Sequence, residues 1–164
     1  KPSAQHVLDE DYYKRIEAIQ FTMAHDDGKK VDDINAADVV LLGVSRTSKT
    51  PTSIYLANRG YKTVNIPLVL DQKIPKDLYT NKTSCIVGLI ADPERLSDIR
   101  RNRVAIMQDQ NLKEYTDLAS IQKEVDDSKR LFKKNGWPII DVTRRSVEET
   151  AASILKIIEI KKNQ

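Results

Sequence analysis

The stretch Asp38-Val39-Val40-Leu41-Leu42-Gly43, apolar after its first residue, passes without a break into the loop Gly43-Val44-Ser45-Arg46-Thr47-Ser48-Lys49-Thr50, and Pro51 follows at once. A run of this length with no polar alternation suits a strand covered on both faces, the setting of a parallel sheet. Pro51 suits the first turn of a helix, where a missing N–H leaves no bond unmade. The three pieces read as strand, tight loop and helix. That order gathers the loop amides and the unpaired N–H groups of the first helical turn beyond the strand's carboxyl end.

The rest of the chain repeats the alternation. Lys1 to Asp9 reads as an irregular lead-in. A helix follows, with Tyr12, Ile16, Ile19 and Met23 as its apolar stripe and Gly28 as its stop. Pro51 to Asn58 is predicted helical, Thr63 to Pro67 a second strand, Pro75 to Tyr79 a helical turn and Cys85 to Ile90 a third strand. Asp92 caps a helix that begins at Pro93. A long charged helix over Asp117 to Lys134 is anchored by Leu118, Ile121, Val125 and Phe132, and Trp137 to Val142 forms the fourth strand. Ser146-Val147-Glu148-Glu149 matches a capping box and starts the last helix through Ile154, Leu155 and Ile158. The expectation is a layered α/β fold of the P-loop type, with a mostly parallel central sheet flanked by helices, in one domain over residues 1–164.

Composition narrows the function classes. The chain of 164 residues carries a formal charge of +3, with its basic clusters interleaved with acids and only 5% aromatic residues. Nucleic-acid binding usually calls for a concentrated basic face or stacking platforms, so neither DNA nor RNA is an expected partner. No stretch approaches the ~18 apolar residues of a membrane span. Cys85 stands alone in an apolar run and reads as a buried thiol in a cytoplasmic protein.

The loop spacing is one residue from the Walker A form G-x-x-x-x-G-K-[ST], with Ser48 where the second glycine belongs. Lys49 would offer a cation to phosphate, Arg46 a forked donor set, and Thr50 a hydroxyl to phosphate-bound Mg²⁺. If Ser48 must take a positive φ, its side chain costs about 1–2 kcal/mol. The same residues also suit a polar turn that caps a helix. A carboxylate is needed to orient or deprotonate an attacking hydroxyl, and Asp26 and Asp27 are the first candidates. A solvated helix exit is their bland alternative. His25 could shuttle protons or simply pack. Asp92 is either a Walker B-like carboxylate or a helix cap, and Asp141 is a further candidate. Arg95, Arg100 and Arg103 share roughly one helical face and could reach phosphate, or form a solvated face paired with Glu94 and Asp98. Asn81-Lys82-Thr83-Ser84 lacks the carboxylate of a guanine-reading motif, which argues against a GTPase.

Five blocks resemble one known family. Gly43 to Ser53 with Tyr55-Leu56-Ala57 is similar to the signature of the pyruvate, phosphate dikinase regulatory proteins and phosphoenolpyruvate synthase regulators. Ala24-His25-Asp26-Asp27-Gly28, Asp92-Pro93-Glu94-Arg95-Leu96, Trp137-Pro138 with Ile140 to Thr143, and Ser146 to Ala151 run in the same order as in that family. Some of its members carry Gly at the place of Ser48 and others carry Ser. Nothing here matches the Ser-Asp-Gly-Thr type motif of the family's N-terminal half, so the chain reads as the C-terminal part of a longer regulator. The resemblance implies an ADP-dependent threonine kinase that inactivates a phosphohistidine-bearing dikinase, and a phosphorylase that removes the phosphate with inorganic phosphate, forming pyrophosphate. It implies a dikinase or synthase as protein substrate and a homodimer, while the Thr50 hydroxyl of the loop adds Mg²⁺ as the expected ion. The loop Gly43 to Thr50 would bind ADP or inorganic phosphate, with Asp26, Asp27, His25 and Asp92 as candidate catalytic residues and Thr50 at the metal. The alternatives are a non-catalytic nucleotide-binding fragment or a P-loop small-molecule kinase.

Overall fold

The computed structural model describes residues 2–69, 72–107 and 113–163, with side chains over 9–69, 72–106 and 115–163. Four parallel strands lie in the order β2-β1-β3-β4: β1 (Val39–Gly43), β2 (Thr63–Pro67), β3 (Cys85–Ile90) and β4 (Ile139–Asp141). The helices are α1 (Pro2–Ala24), α2 (Lys49–Ala57), α3 (Asp77–Thr80), α4 (Pro93–Met107), α5 (Lys113–Thr116), α6 (Leu118–Asn135) and α7 (Val147–Lys162). Two 3₁₀ turns, Asp26–Gly28 and Ile34–Ala36, join α1 to β1. The α/β class and parallel sheet match the sequence expectation.

The pleat of β1 explains both covered faces. Val39 and Leu41 point to one side, where Leu56 of α2 and Ala151, Ile154 and Ile158 of α7 close the core. Val40 and Leu42 point to the other, against Ile34, Leu78 and Phe132 of α6. Beyond the end of β1, Val44 sits with Ala91, Leu96, Ile121 and Val125, so α4 and α6 meet beneath the loop. Register puts Gly43 beside Pro67 on one side and Leu89 on the other.

Capping behaves as the residues dictate. The Asp117 carboxylate accepts from the Ser120 N–H, and Gly136 closes α6 at φ 69. Ser146 and Glu149 form the reciprocal capping box that starts α7.

Three expectations about α1 and β4 need correction, and Leu118, expected to anchor α6, is exposed. Position 2 onward is helical, so all but Lys1 of the lead-in belongs to α1, and Lys1 lies outside the described residues. Tyr12 and Met23 are exposed, while Ala18, Thr22 and His25 are buried. The inward face of α1 is the stripe 18, 22, 25, because small residues allow close approach to the free edge of β2. There the Thr63 N–H, unpaired on that edge, donates to Thr22 Oγ1 at 3.1 Å. Hydrophobic periodicity does not register a threonine, so it points to a different face of this helix. The fourth strand is also shorter than Trp137 to Val142, since Pro138 has no N–H to give the ladder.

Gly88 is where α6 closes on the sheet: a Cβ there would lie 2.3 Å from Phe132 Cδ2. Gly88→Ala is expected to lower unfolding free energy by about 1–3 kcal/mol through overpacking. Urea denaturation at unchanged m-value checks this; an unaltered midpoint would refute it.

Candidate functional site

Every residue of the loop has a local reason for its shape. Gly43 admits no side chain, as a Cβ would stand 2.7 Å from Thr47 Oγ1 and 2.9 Å from the Leu89 carbonyl. Arg46 and Ser48 both adopt left-handed backbone, at φ 71 and φ 61. Ser48 therefore takes the conformation that the second Walker glycine takes so easily, at a cost of about 1–2 kcal/mol. Its side chain makes no capping bond to α2, which begins at Lys49 rather than Pro51.

The loop is tied from within. Thr47 Oγ1 donates to the Val44 carbonyl at 2.8 Å, and Lys49 Nζ donates to the same oxygen at 2.9 Å. Lys49 is 6% exposed. Burial pushes its ammonium down to about 8; Asp27 opposes that shift, Arg100 and Arg46 add to it, and Asp26 opposes it more weakly. These five side chains therefore form one electrostatic group.

A cleft of about 500 Å³ opens over the loop, lined by Ser45, Arg46, Ser48, Lys49 and Thr50, by Asp27 and by Arg103. The predicted acids are thus brought to the loop, but with unequal freedom. Asp26 Oδ1 accepts from Thr50 Oγ1 at 2.9 Å and also from Asn65 Nδ2. Asp27, exposed and at φ 54, faces the cleft while its backbone N–H donates to Asn65 Oδ1 at 2.8 Å.

Asn65 is a site residue that the sequence reading does not single out. It is fully buried in the middle of β2, and its one amide holds both the Asp26 carboxylate and the Asp27 backbone. The available signal is a lone amide in an apolar strand, since buried polar groups are retained where they have partners.

Of the other candidates only Arg103 lines the cleft. His25 is buried and stacked on Phe21 at 3.9 Å, with Nδ1 on the Phe21 carbonyl at 2.6 Å and Nε2 on Asp33 Oδ1 at 2.5 Å. The two contacts fasten the end of α1 to Asp33, at the start of the second 3₁₀ turn, and so close the loop that carries Asp26 and Asp27. The His25 hydrogen bond holds the Asp33 carboxyl below the usual range. Asp92 caps α4 by accepting from the Arg95 N–H at 3.2 Å and does not line the cleft. Asp141 accepts from the Thr143 N–H at 2.9 Å and from its hydroxyl at 2.5 Å. Of the three arginines, Arg103 lines the cleft, Arg95 is exposed and Arg100 is fully buried.

Two outcomes follow. Ser48→Gly is expected to raise stability by roughly 0.5–1 kcal/mol, the relieved strain less the added freedom of the unfolded chain, whereas Ser48→Val lowers it. Chemical denaturation of both variants decides; equal midpoints would refute the strain. Because the folded-state Lys49 binds its proton more weakly, the burial penalty is complete below pH 8. It is relieved as pH rises from about 8 toward 10.5, by up to about 3 kcal/mol. The stability of the wild type relative to Lys49→Met should therefore improve across that window, and a flat difference would count against it.

Residues 1–155 match a family model described as kinase/pyrophosphorylase. A Pelagibacter ubique protein is 63% identical over 163 residues, covering 99% of this chain and 60% of its own length. Proteins of Erythrobacter litoralis and Bartonella bacilliformis are each 54% identical, covering 96% and 95% of this chain and 56% of their own lengths. All three are provisionally named pyruvate, phosphate dikinase regulatory proteins. The chain thus spans somewhat more than half the length of these relatives. On this match it belongs to the kinase/pyrophosphorylase family.

Proposed function

We propose that this chain is the phosphate-handling portion of a regulator of pyruvate, phosphate dikinase. In this reading it moves the β-phosphoryl group of ADP to a threonine hydroxyl of the target, releasing AMP. It reverses the modification with inorganic phosphate, releasing pyrophosphate. The observation that carries the reading is the cleft over the loop, where Arg46, Lys49 and Arg103 converge with one unencumbered carboxylate, Asp27.

The roles follow from what each group can still do. Phosphoryl transfer depends mainly on position and on charge stabilisation around the moving group. Lys49 leaves the Val44 carbonyl for a phosphate oxygen, and Arg46 offers a second, forked contact. Asp27 accepts the proton of the attacking hydroxyl as the P–O bond to AMP breaks. Asp26, already accepting from Thr50 and Asn65, positions the Thr50 hydroxyl instead.

Asp26 and Thr50 are adjacent hard oxygen donors, a set that suits Mg²⁺. Among the described residues no group of three or more His, Cys, Asp or Glu would hold a metal. The ion would thus draw its remaining ligands from phosphate and water, as Mg²⁺ commonly does. When bound it would neutralise phosphate charge. A second cavity of about 510 Å³, walled by Leu68, Val69, Ile74 and Leu131, adjoins the cleft at Val69 and offers apolar room for the nucleoside.

The test is transfer from ADP to phosphohistidine-charged dikinase, with phosphothreonine mapped by mass spectrometry, using this chain and the longer protein side by side. Lys49→Ala should cost at least about 100-fold, and Asp27→Asn should lower kcat with little change in ADP affinity. No transfer by either form would sink the reading. Transfer by the longer protein alone would favour a nucleotide-binding segment that needs the rest of its chain.

A further inference from the structure

We propose that Arg100 is a positioning residue of the phosphate loop, acting by holding the Ser45 carbonyl and so turning the Arg46 amide toward bound phosphate. The inference rests on the reading of the cleft as a phosphate site.

Arg100 lies on α4 and is fully buried. Nη2 donates to the Ser45 carbonyl at 3.1 Å. Nη1 donates to the Tyr115 carbonyl at 3.1 Å and to Glu124 Oε2 at 2.7 Å. The guanidinium lies 4.7 Å over the Tyr115 ring, and Tyr115 Oη is 2.9 Å from Ser45 Oγ. One planar cation thus joins the loop, α5 and α6. A lysine cannot reach these three acceptors with fixed geometry. Stability alone does not account for the arrangement, since a buried ion pair is often replaceable by apolar residues without loss.

The effect on the loop follows from peptide planarity. In a trans peptide the C=O and N–H point to opposite sides, so Arg100 on the Ser45 oxygen places the Arg46 N–H on the far side. Arg100 is fully buried and outside the cleft lining, whereas Ser45 and Arg46 line it, so the side of the peptide away from Arg100 is taken as the phosphate side. The left-handed φ of 71 at Arg46 is the strain that accompanies this orientation. Rotating the Ser45–Arg46 peptide by half a turn would return Arg46 to negative φ and relieve it. That rotation would also swing the Ser45 carbonyl oxygen toward an anion. The bond from Arg100 opposes the rotation. The Lys49 and Thr47 bonds to the Val44 carbonyl restrain the preceding peptide in the same way.

The experiment compares wild type, Arg100→Lys and Arg100→Ala in pyrophosphate binding by calorimetry, with thermal unfolding of each and ¹⁵N NMR of the Arg46 amide. Pyrophosphate is expected to bind ten- to a hundredfold more weakly to both variants. The Arg46 amide resonance should shift on titration in the wild type and not in Arg100→Lys. Guanidinium at tens of millimolar should partly restore binding to Arg100→Ala but not to Arg100→Lys. Folded Arg100→Lys that binds within twofold of wild type, with the Arg46 amide still responding, would overturn the proposal. So would a loss of binding in both variants that follows the loss of thermal stability and is not rescued. A wild type that binds neither pyrophosphate nor ADP would remove the phosphate reading itself, a result distinct from variants that bind unchanged.

Discussion

The structure depends on β1 being hydrogen-bonded on both edges and covered on both faces. Such a strand cannot bend aside, so its end is fixed, and the chain must turn within a few residues to start α2 on one face. The turn takes place against β3, close enough that Gly43 admits no Cβ beside the Leu89 carbonyl. Left-handed backbone at Arg46 and Ser48 is the local consequence. Strain of this kind persists only where the surroundings over-determine it. The surroundings here are polar: Thr47 and Lys49 on one carbonyl, Arg100 on the next.

A second polar system stands on the opposite wall. Asn65 in β2 fastens the turn carrying Asp26 and Asp27, and Asp26 reaches the Thr50 hydroxyl. His25 secures the same turn from behind through Asp33. One carboxylate is thereby occupied in holding the loop, and the other stands exposed at the cleft. Two adjacent acids that look alike in sequence are separated by their environments, as acid pairs with different tasks commonly are.

The fold is legible in the sequence because its signals are local. A continuous apolar run marks β3 to the residue, the short stretch Thr63 to Pro67 marks β2, and Asp92-Pro93, Asp117 and Ser146 to Glu149 mark helix starts by capping chemistry. The loop is legible from spacing, including the conformational demand on Ser48. What escapes depends on contacts between distant segments. Thr22 matters because it meets an unpaired N–H of β2, and Asn65 because it meets Asp26. Arg100 resembles a cleft arginine because it shares a helical face with Arg103, yet one turn of α4 separates the interior from the surface. Periodicity reports which face a residue is on, not which partner that face will meet.

The placement of Lys49 gives the loop an occupant of its own. With its ammonium on the Val44 carbonyl, Lys49 is buried and already engaged, so on the proposed reading an arriving phosphate would enter an exchange rather than an empty seat. The internal carbonyl sets a threshold. Singly charged or diffuse anions offer the ammonium little more than it already has, whereas a polyphosphate brings several oxygens and more charge at once. If the cleft takes phosphate as proposed, a buried lysine folded onto its own loop would favour ligands that offer it more than the backbone oxygen it already holds.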